Sequence, residues 1–334
     1  MSFTHLDVLY AARRLRHVAV RTPVLSSSLI DDLVGRRVSL KMENQQLTGS
    51  FKFRGAYNAV GSLPELKRKA GVIGASSGNH GQAIALAARL LGTSATVVLP
   101  DDAPAAKHRA IEALRARVVT YRQGVDNRDI TVQEIAHRER LTVVPSSDHP
   151  AVIAGAGTTA LEMLQALPDL AAILVPVGGG GLAAGTAIAA RAYSPRLKVF
   201  GVEPVTANDT QRSLRAGHRI RISTPATIAD GLRHTEPAPM PFAINQQYLT
   251  DVIAVPEGDI VEAMASLWRN YKVVAEPSGA VAFAGLLRAA HRLPEGRVGV
   301  IVSGGNVDWD SYRTMLDIAI DRQGRRIHAA PVLR

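Results

Sequence analysis

A chain of 334 residues that is 46% hydrophobic and 20% charged can bury one large core or two moderate ones, which excludes a small module or a disordered chain. The absence of cysteine excludes disulfides and thiolate metal sites and agrees with a reducing, cytoplasmic setting. The net charge of +10 is scattered over short runs ("RRLR", "KRK", "DRQGRR") with only 4% aromatics, so no nucleic-acid partner is expected and the basic surface suits small anionic ligands.

Along the chain, the first apolar residues are interrupted by "RRLRH", Arg13 to His17, so no signal core is expected. Short β-branched runs then alternate with helix-like segments, the pattern of parallel sheets covered by helices, and the fold class is α/β. The first expected strand, "VSLKME" (38 to 43), leads into "TGSFKFRGA", Thr48 to Ala56, where Lys52 stands between two phenylalanines. Four strands follow, at 71 to 76, 95 to 100, 116 to 121 and 141 to 145, separated by segments such as "GQAIALAARLLG", which Gly92 stops as a helix C-cap would. Beyond "GTTALEMLQAL" come strands at 172 to 177, 198 to 203, 251 to 256 and 298 to 303. Nine strands are many for one open sheet, so they divide into a small domain, 71–147, and a large one built from 1–70 and 148–334. Ala171 to Ala190 has twenty residues without a charge, the length of a membrane-spanning helix. Pro176 and four consecutive glycines break it into strand, turn and helix, and no membrane segment is expected.

Ligands of open parallel sheets bind outside the carboxyl ends of strands, which directs attention to four loops. Gly178, Gly179, Gly180 and Gly181 open "GGGGLAAG" before a helix; a run of bare backbone N–H groups at a helix N-terminus suits a phosphate, whereas a tight turn needs one or two glycines. "SSGNHG", Ser76 to Gly81, presents two hydroxyls, an amide and an imidazole at another helix start, where a plain cap needs one such residue. Ser303 ends the last strand before "GGNVD". Glu203 and Asp209 in "EPVTAND" can share a hard cation, or be two solvated acids. With a phosphate cradle in the chain, Lys52 fits a Schiff-base lysine for pyridoxal phosphate, its pKa lowered by apolar neighbours; alone it is equally a lysine that snorkels to the surface. A rival reading takes Gly178, Gly180 and Ala183 as G-x-G-x-x-A with Glu203 as the ribose acid of an NAD-dependent dehydrogenase, but leaves "GSFKFRG", "SSGNHG" and "SGGN" unexplained.

The chain resembles the fold-type II pyridoxal phosphate enzymes, which are tryptophan synthase beta-like in architecture, and within them the serine/threonine dehydratase and serine racemase group. The blocks that carry the resemblance are "KMENQQLTGSFKFRGAYNAV", "ASSGNHGQAIALAA", "VIAGAGTTALEML", "VGGGGLAAG", "GVEPVTAND", "TIADGLR", "AEPSGAVAFAGLL" and "VSGGNVD", in family order over nearly the whole chain. The resemblance implies that Lys52 carries the cofactor and moves the Cα proton, with Phe51 beside the ring, Asn79 on the ring hydroxyl oxygen, Gly178 to Gly181 on the phosphate and Ser303 at the pyridine nitrogen. It implies Ser77 as the acid/base on the opposite face, Ser76, Asn79, His80 and Arg128 toward the substrate, and Glu203, the Ala207 carbonyl and Asp209 around Mg2+ or another divalent cation. The implied reaction is loss of water from a β-hydroxy amino acid to give a 2-oxo acid and ammonia, with racemisation on the same scaffold as the alternative, in a cytoplasmic homodimer. No C-terminal effector domain is expected.

Departures from the group are as informative. Ala156 replaces its usual glutamine, "LRAR" (114 to 117) its glycine-alanine, "PSSDHP" (145 to 150) a more acidic segment, and "EPAPMPF" (236 to 242) its leucine-glycine pair. His234 stands where a serine or threonine near the substrate is usual; it is either a substrate ligand or a bulky rim residue, and is expected to shift side-chain preference toward an acidic or unusual amino acid.

Overall fold

The computed structural model describes residues 3–76 and 78–329, with side chains for all of these except 106 and 320–329. In chain order the elements are α1 (His5–Leu15), β1 (Val24–Leu25), α2 (Ser28–Val34), β2 (Val38–Met42), α3 (Lys52–Gly61), α4 (Glu65–Ala70), β3 (Val72–Ala75), α5 (Asn79–Leu90), β4 (Ala95–Pro100), α6 (Ala105–Glu112), β5 (Arg117–Tyr121), α7 (Arg128–Glu139), β6 (Thr142–Val143), α8 (Pro150–Ala166), β7 (Leu170–Pro176), α9 (Gly181–Tyr193), β8 (Lys198–Pro204), α10 (Asp209–Ala216), α11 (Pro239–Tyr248), β9 (Asp251–Val255), α12 (Glu257–Tyr271), α13 (Pro277–Ala289), β10 (Arg297–Val302) and α14 (Trp309–Ala329). All nine expected strands are present, and β1 is an additional two-residue edge.

The strands form two sheets. One has the order β5-β4-β3-β6 and is parallel throughout; the other has the order β1-β2-β10-β7-β8-β9 and is parallel except for β1. Alternation along a strand sends successive side chains to opposite faces, so a sheet covered twice needs apolar residues at every position. In β7, Ala172 and Leu174 face the cluster built on α13 with Phe283 and Leu286, while Ile173 and Val175 face Ala160, Leu164 and Ala183 of α8 and α9. The smaller sheet repeats this arrangement, with Val97 and Leu99 packing on Ala83, Ile84 and Ala87 of α5, and Ile73 and Val98 on Val132 and Ile135 of α7.

Behind α3 lies a closed ionic cluster, buried except at Glu162, whose side chain is 17% exposed. Arg54 is fully buried and donates to Glu43 at 2.7 and 2.8 Å and to Glu162 at 2.7 and 2.9 Å, with further bonds to Thr158 and the Val20 carbonyl. Lys41 adds a 2.7 Å bond to Glu162 and a 2.8 Å bond to the Thr22 carbonyl. This cluster ties α3 to β2 and α8, and so fixes the helix whose first residue is Lys52.

Candidate active site

The stretch around Lys52 is stitched to the end of β10. Ser50 bridges Gly304, and the Phe51 N–H donates to the Ser303 carbonyl at 3.0 Å, so α3 starts at the carboxyl edge of the large sheet. The Lys52 Nζ donates to the Ser146 carbonyl at 2.9 Å and lies 5.0 Å from the centre of the Phe51 ring. Burial lowers its pKa to about 8 against the opposing pull of Glu276, so an appreciable fraction of free amine exists near neutrality.

Across from it, Gly178 to Gly181 are all buried between β7 and α9. Gly180 has φ +86°, a conformation that side chains resist, and a Cβ on Gly179 would collide with Ser147 Oγ. Among the described residues, no backbone or side-chain oxygen accepts the N–H groups of Gly178 to Gly181. Converging, uncommitted donors at the head of a thirteen-residue helix are the chemistry of an anion cradle, and a phosphate fits it.

The residues expected around a pyridine ring converge on the same space. Asn79, first residue of α5, donates from Nδ2 to Glu276 Oε1 at 2.6 Å and accepts at Oδ1 from Asn306 Nδ2 at 2.7 Å; Asn306 also donates to the Thr48 carbonyl at 2.7 Å. These bonds fix which half of the Asn79 amide faces which way. Burial pushes the Glu276 pKa up to about 8, with Asn79, Lys107 and Lys52 opposing and Asp230 adding to the rise. Ser303 is buried, its hydroxyl 3.5 Å from the Ser278 carbonyl, a long contact that leaves it free to meet another group.

His234 packs on the glycine loop: a Cβ on Gly178 would lie 3.0 Å from its Cδ2, and one on Gly179 3.2 Å from its Cε1. Burial, then the charges of Lys52 and Arg128, lower its pKa to about 4, so it is a neutral imidazole at pH 7. His80 is placed differently from the expectation. Its ring nitrogen Nε2 is 2.9 Å from the Val144 carbonyl within the small sheet, and burial followed by the Lys52 charge lowers its pKa to about 3. Arg128, at the head of α7, is exposed and paired with Asp129 at 2.9 Å. Ser76 Oγ accepts from the Gly78 N–H at 3.2 Å. Ser77 lies outside the described residues.

Glu203 and Asp209 are near enough for the charge of Asp209 to act on Glu203. Glu203 is buried and accepts from the N–H groups of Thr210 and Gln211 at 3.1 and 2.9 Å, capping α10, while both carboxyl oxygens of buried Asp209 have no hydrogen-bond partner. Burial pushes both acids up, Asp209 to about 7. Orphaned carboxylate oxygens beside a second buried acid fit a hard cation.

Three residues near this space were not singled out from the sequence: Glu276, Asn306 and Ser147. The signal for Glu276 was a lone acid before Pro277 at the head of an apolar helix.

A family described as "Pyridoxal-phosphate dependent enzyme" matches residues 15–304. The chain is 44% identical to the L-threo-3-hydroxyaspartate ammonia-lyase of Saccharomyces cerevisiae over 94% of its length and 96% of that protein's. It is 46% identical to the enzyme of the same name from Pseudomonas sp, over 93% and 97% of the two chains. The crystal structure of serine racemase from Dictyostelium discoideum superposes with a TM-score of 0.87 at 39% identity, covering 91% of this chain and 99% of that one.

Proposed function

This chain belongs to the pyridoxal-phosphate dependent enzymes, of fold type II, and we propose that it is an ammonia-lyase that removes water from 3-hydroxyaspartate, giving a 2-oxo acid and ammonia. The observation that carries the reading is Lys52, an amine of lowered pKa held at the Ser146 carbonyl beside Phe51 and facing an uncommitted glycine cradle. Pyridoxal phosphate, held through its aldehyde, supplies the electron sink that makes the substrate Cα–H bond acidic. Gly178 to Gly181 would hold its phosphate, and Asn79 and Phe51 would contact its ring. Ser303 would offer the pyridine nitrogen a neutral hydroxyl rather than an acid, which would suit elimination. The Lys52 amine takes the Cα proton, with a pKa near the working pH as a base requires. Ser76 receives the α-carboxylate, and the neutral His234 imidazole donates to the second carboxylate.

Substrate choice is the part that the names of the two lyase relatives and the position of His234 support together. Racemisation is the second reading, favoured by the likeness to serine racemase and resting on Ser77 as the opposite-face acid/base. Incubation with L-threo-3-hydroxyaspartate, L-serine and L-threonine, with 2-oxo acid and D-serine both assayed, separates them. The purified protein is expected to show a visible band that borohydride removes and Lys52→Ala lacks; a protein that forms no 2-oxo acid from any of the three is not this lyase.

A divalent cation at Glu203, Asp209 and the Ala207 carbonyl belongs to the same proposal. At a hundredfold excess over its Kd, Mg2+ should stabilise the fold by about 2.7 kcal/mol, and an unchanged unfolding midpoint would remove it. The smaller sheet, 71–147, is proposed to move as a unit over the site, in a cytoplasmic homodimer; sedimentation at assay concentration tests the dimer. No helix among the described residues is long and apolar enough to cross a membrane.

A further inference from the structure

The segment "EPAPMPF" and the helix it opens, α11, depart from the family pattern and have so far been given no task. The structure puts them against the phosphate cradle. Met240 donates its N–H to Asp148 Oδ1 at 3.0 Å, which docks the head of α11 on the loop that carries Ser146 and Ser147. One turn on, Asn245 is buried to 1% exposure and donates from Nδ2 to the Gly180 carbonyl at 3.3 Å. A Cβ on Gly180 would lie 2.9 Å from both that nitrogen and Pro241 Cβ, so the contact leaves no room for a side chain.

The orientation of the Asn245 amide is set by chemistry: the reverse would place its oxygen against the Gly180 oxygen, two acceptors with no proton between them. In the orientation found, Oδ1 is buried with no hydrogen-bond partner among the described residues. An unpartnered buried carbonyl is unfavourable, and an apolar side chain of similar size would avoid it. What the apolar side chain would lose is the hold on Gly180. That carbonyl also accepts the Ala184 N–H at 2.9 Å, the first bond of α9. Two donors therefore pin it on the helix side, and the peptide plane it shares with the Gly181 N–H is held against rotating its carbonyl toward the anion.

We propose that Asn245 is a positioning residue for the cofactor phosphate: it clamps the Gly180 carbonyl so that the Gly181 N–H in the same peptide plane stays aimed at the phosphate. The inference rests on the reading of that loop as the phosphate cradle. Its signature is selectivity between pyridoxal phosphate and pyridoxal, which share the ring and aldehyde and differ only in the group the loop holds.

The test measures the dissociation constants of both compounds, by absorbance and fluorescence titration, for wild type, Asn245→Leu and Asn245→Ser, together with the phosphorus NMR resonance of the bound cofactor. Leucine removes the donor and the orphaned carbonyl together; serine keeps a polar site but cannot reach Gly180, and supplies the comparison if the leucine variant does not fold. Pyridoxal phosphate should bind about tenfold more weakly to the variants, as loss of one buried hydrogen bond implies. Pyridoxal affinity should stay as in wild type, and the phosphorus resonance should move toward that of free cofactor. Affinities for the two compounds that fall by the same factor, or that do not fall, overturn the role of Asn245. A wild-type protein with no preference for the phosphorylated compound would instead overturn the cradle itself.

Discussion

Lys52 and Arg54 are two residues apart on the same helix, yet the charged groups around them are organised in opposite ways. Around Arg54 every carboxylate and cation meets a partner: Glu43, Glu162, Lys41, Thr22 and Thr158 are joined to Arg54 or to one another at 2.6 to 3.2 Å. Burial raises the Glu162 carboxyl, but Arg54 and Lys41 outweigh it and hold the group below the usual range. Around Lys52 the groups are buried but incompletely paired. His80 Nδ1 has no partner, the glycine-loop donors meet no acceptor among the described residues, and Lys52, Glu276 and His234 are each shifted toward their uncharged forms. A satisfied buried network specifies structure, and an unsatisfied one marks where a ligand completes it.

Removing one member from each cluster tests that contrast. Arg54→Leu leaves the buried Glu43 without a cation and Glu162 with Lys41 alone, and is expected to cost about 3–5 kcal/mol of stability, read by urea denaturation of the cofactor-free protein. A loss under about 1 kcal/mol would mean that water already reaches the cluster, and the distinction between closed and open would fail.

Glu276 is expected to behave in the opposite sense. It keeps its proton to about pH 8 in the folded protein, against an ordinary value of 4.5 in the unfolded chain. Between these values the native state binds the additional proton, so its contribution to stability falls as pH rises and is constant above about pH 8. Glu276→Gln removes that slope. The variant should gain on wild type by at most about 1.4 kcal/mol per pH unit from pH 5 to pH 8, in denaturation midpoints of the cofactor-free proteins. Parallel profiles would show that Glu276 is ionised in the native state and that the open cluster is less open than its geometry indicates.

The difference between the two clusters also decides what could be read from sequence. Strand positions were legible because both sheets are covered twice, which leaves continuous β-branched runs; the two-residue β6 lies inside one such run, "LTVVP", whereas β1, equally short, stands between Pro23 and three serines and belongs to none. The glycine loop, Ser303 and the Glu203–Asp209 pair each lie within one loop, at the end of one strand. Glu276 and Asn306 reach Asn79 across 197 and 227 residues of chain, and spacing holds no information on such a contact. His80 was legible as a residue type but not as a direction: its place on α5 turns the ring into the small sheet, where Val144 takes it.

His234 belongs to the open cluster, and its substitution is the smallest of the changes expected. With a pKa lowered to about 4 it carries no charge at pH 7, so the proposed selection of a dicarboxylate is by a donated hydrogen bond and not by ion pairing. A single bond to a carboxylate corresponds to about tenfold in kcat/KM. His234→Ser should lower kcat/KM for 3-hydroxyaspartate by that factor while leaving L-serine unchanged or improved, since the smaller residue opens the wall above Gly178 and Gly179. Binding of the second carboxylate would also stabilise the protonated imidazole, so the wild-type preference should strengthen as pH falls toward 5, and that of the serine variant should not. Equal losses on all substrates would place His234 in support of the glycine loop alone, and the selectivity would then have to come from Arg128, whose charge His234 already feels.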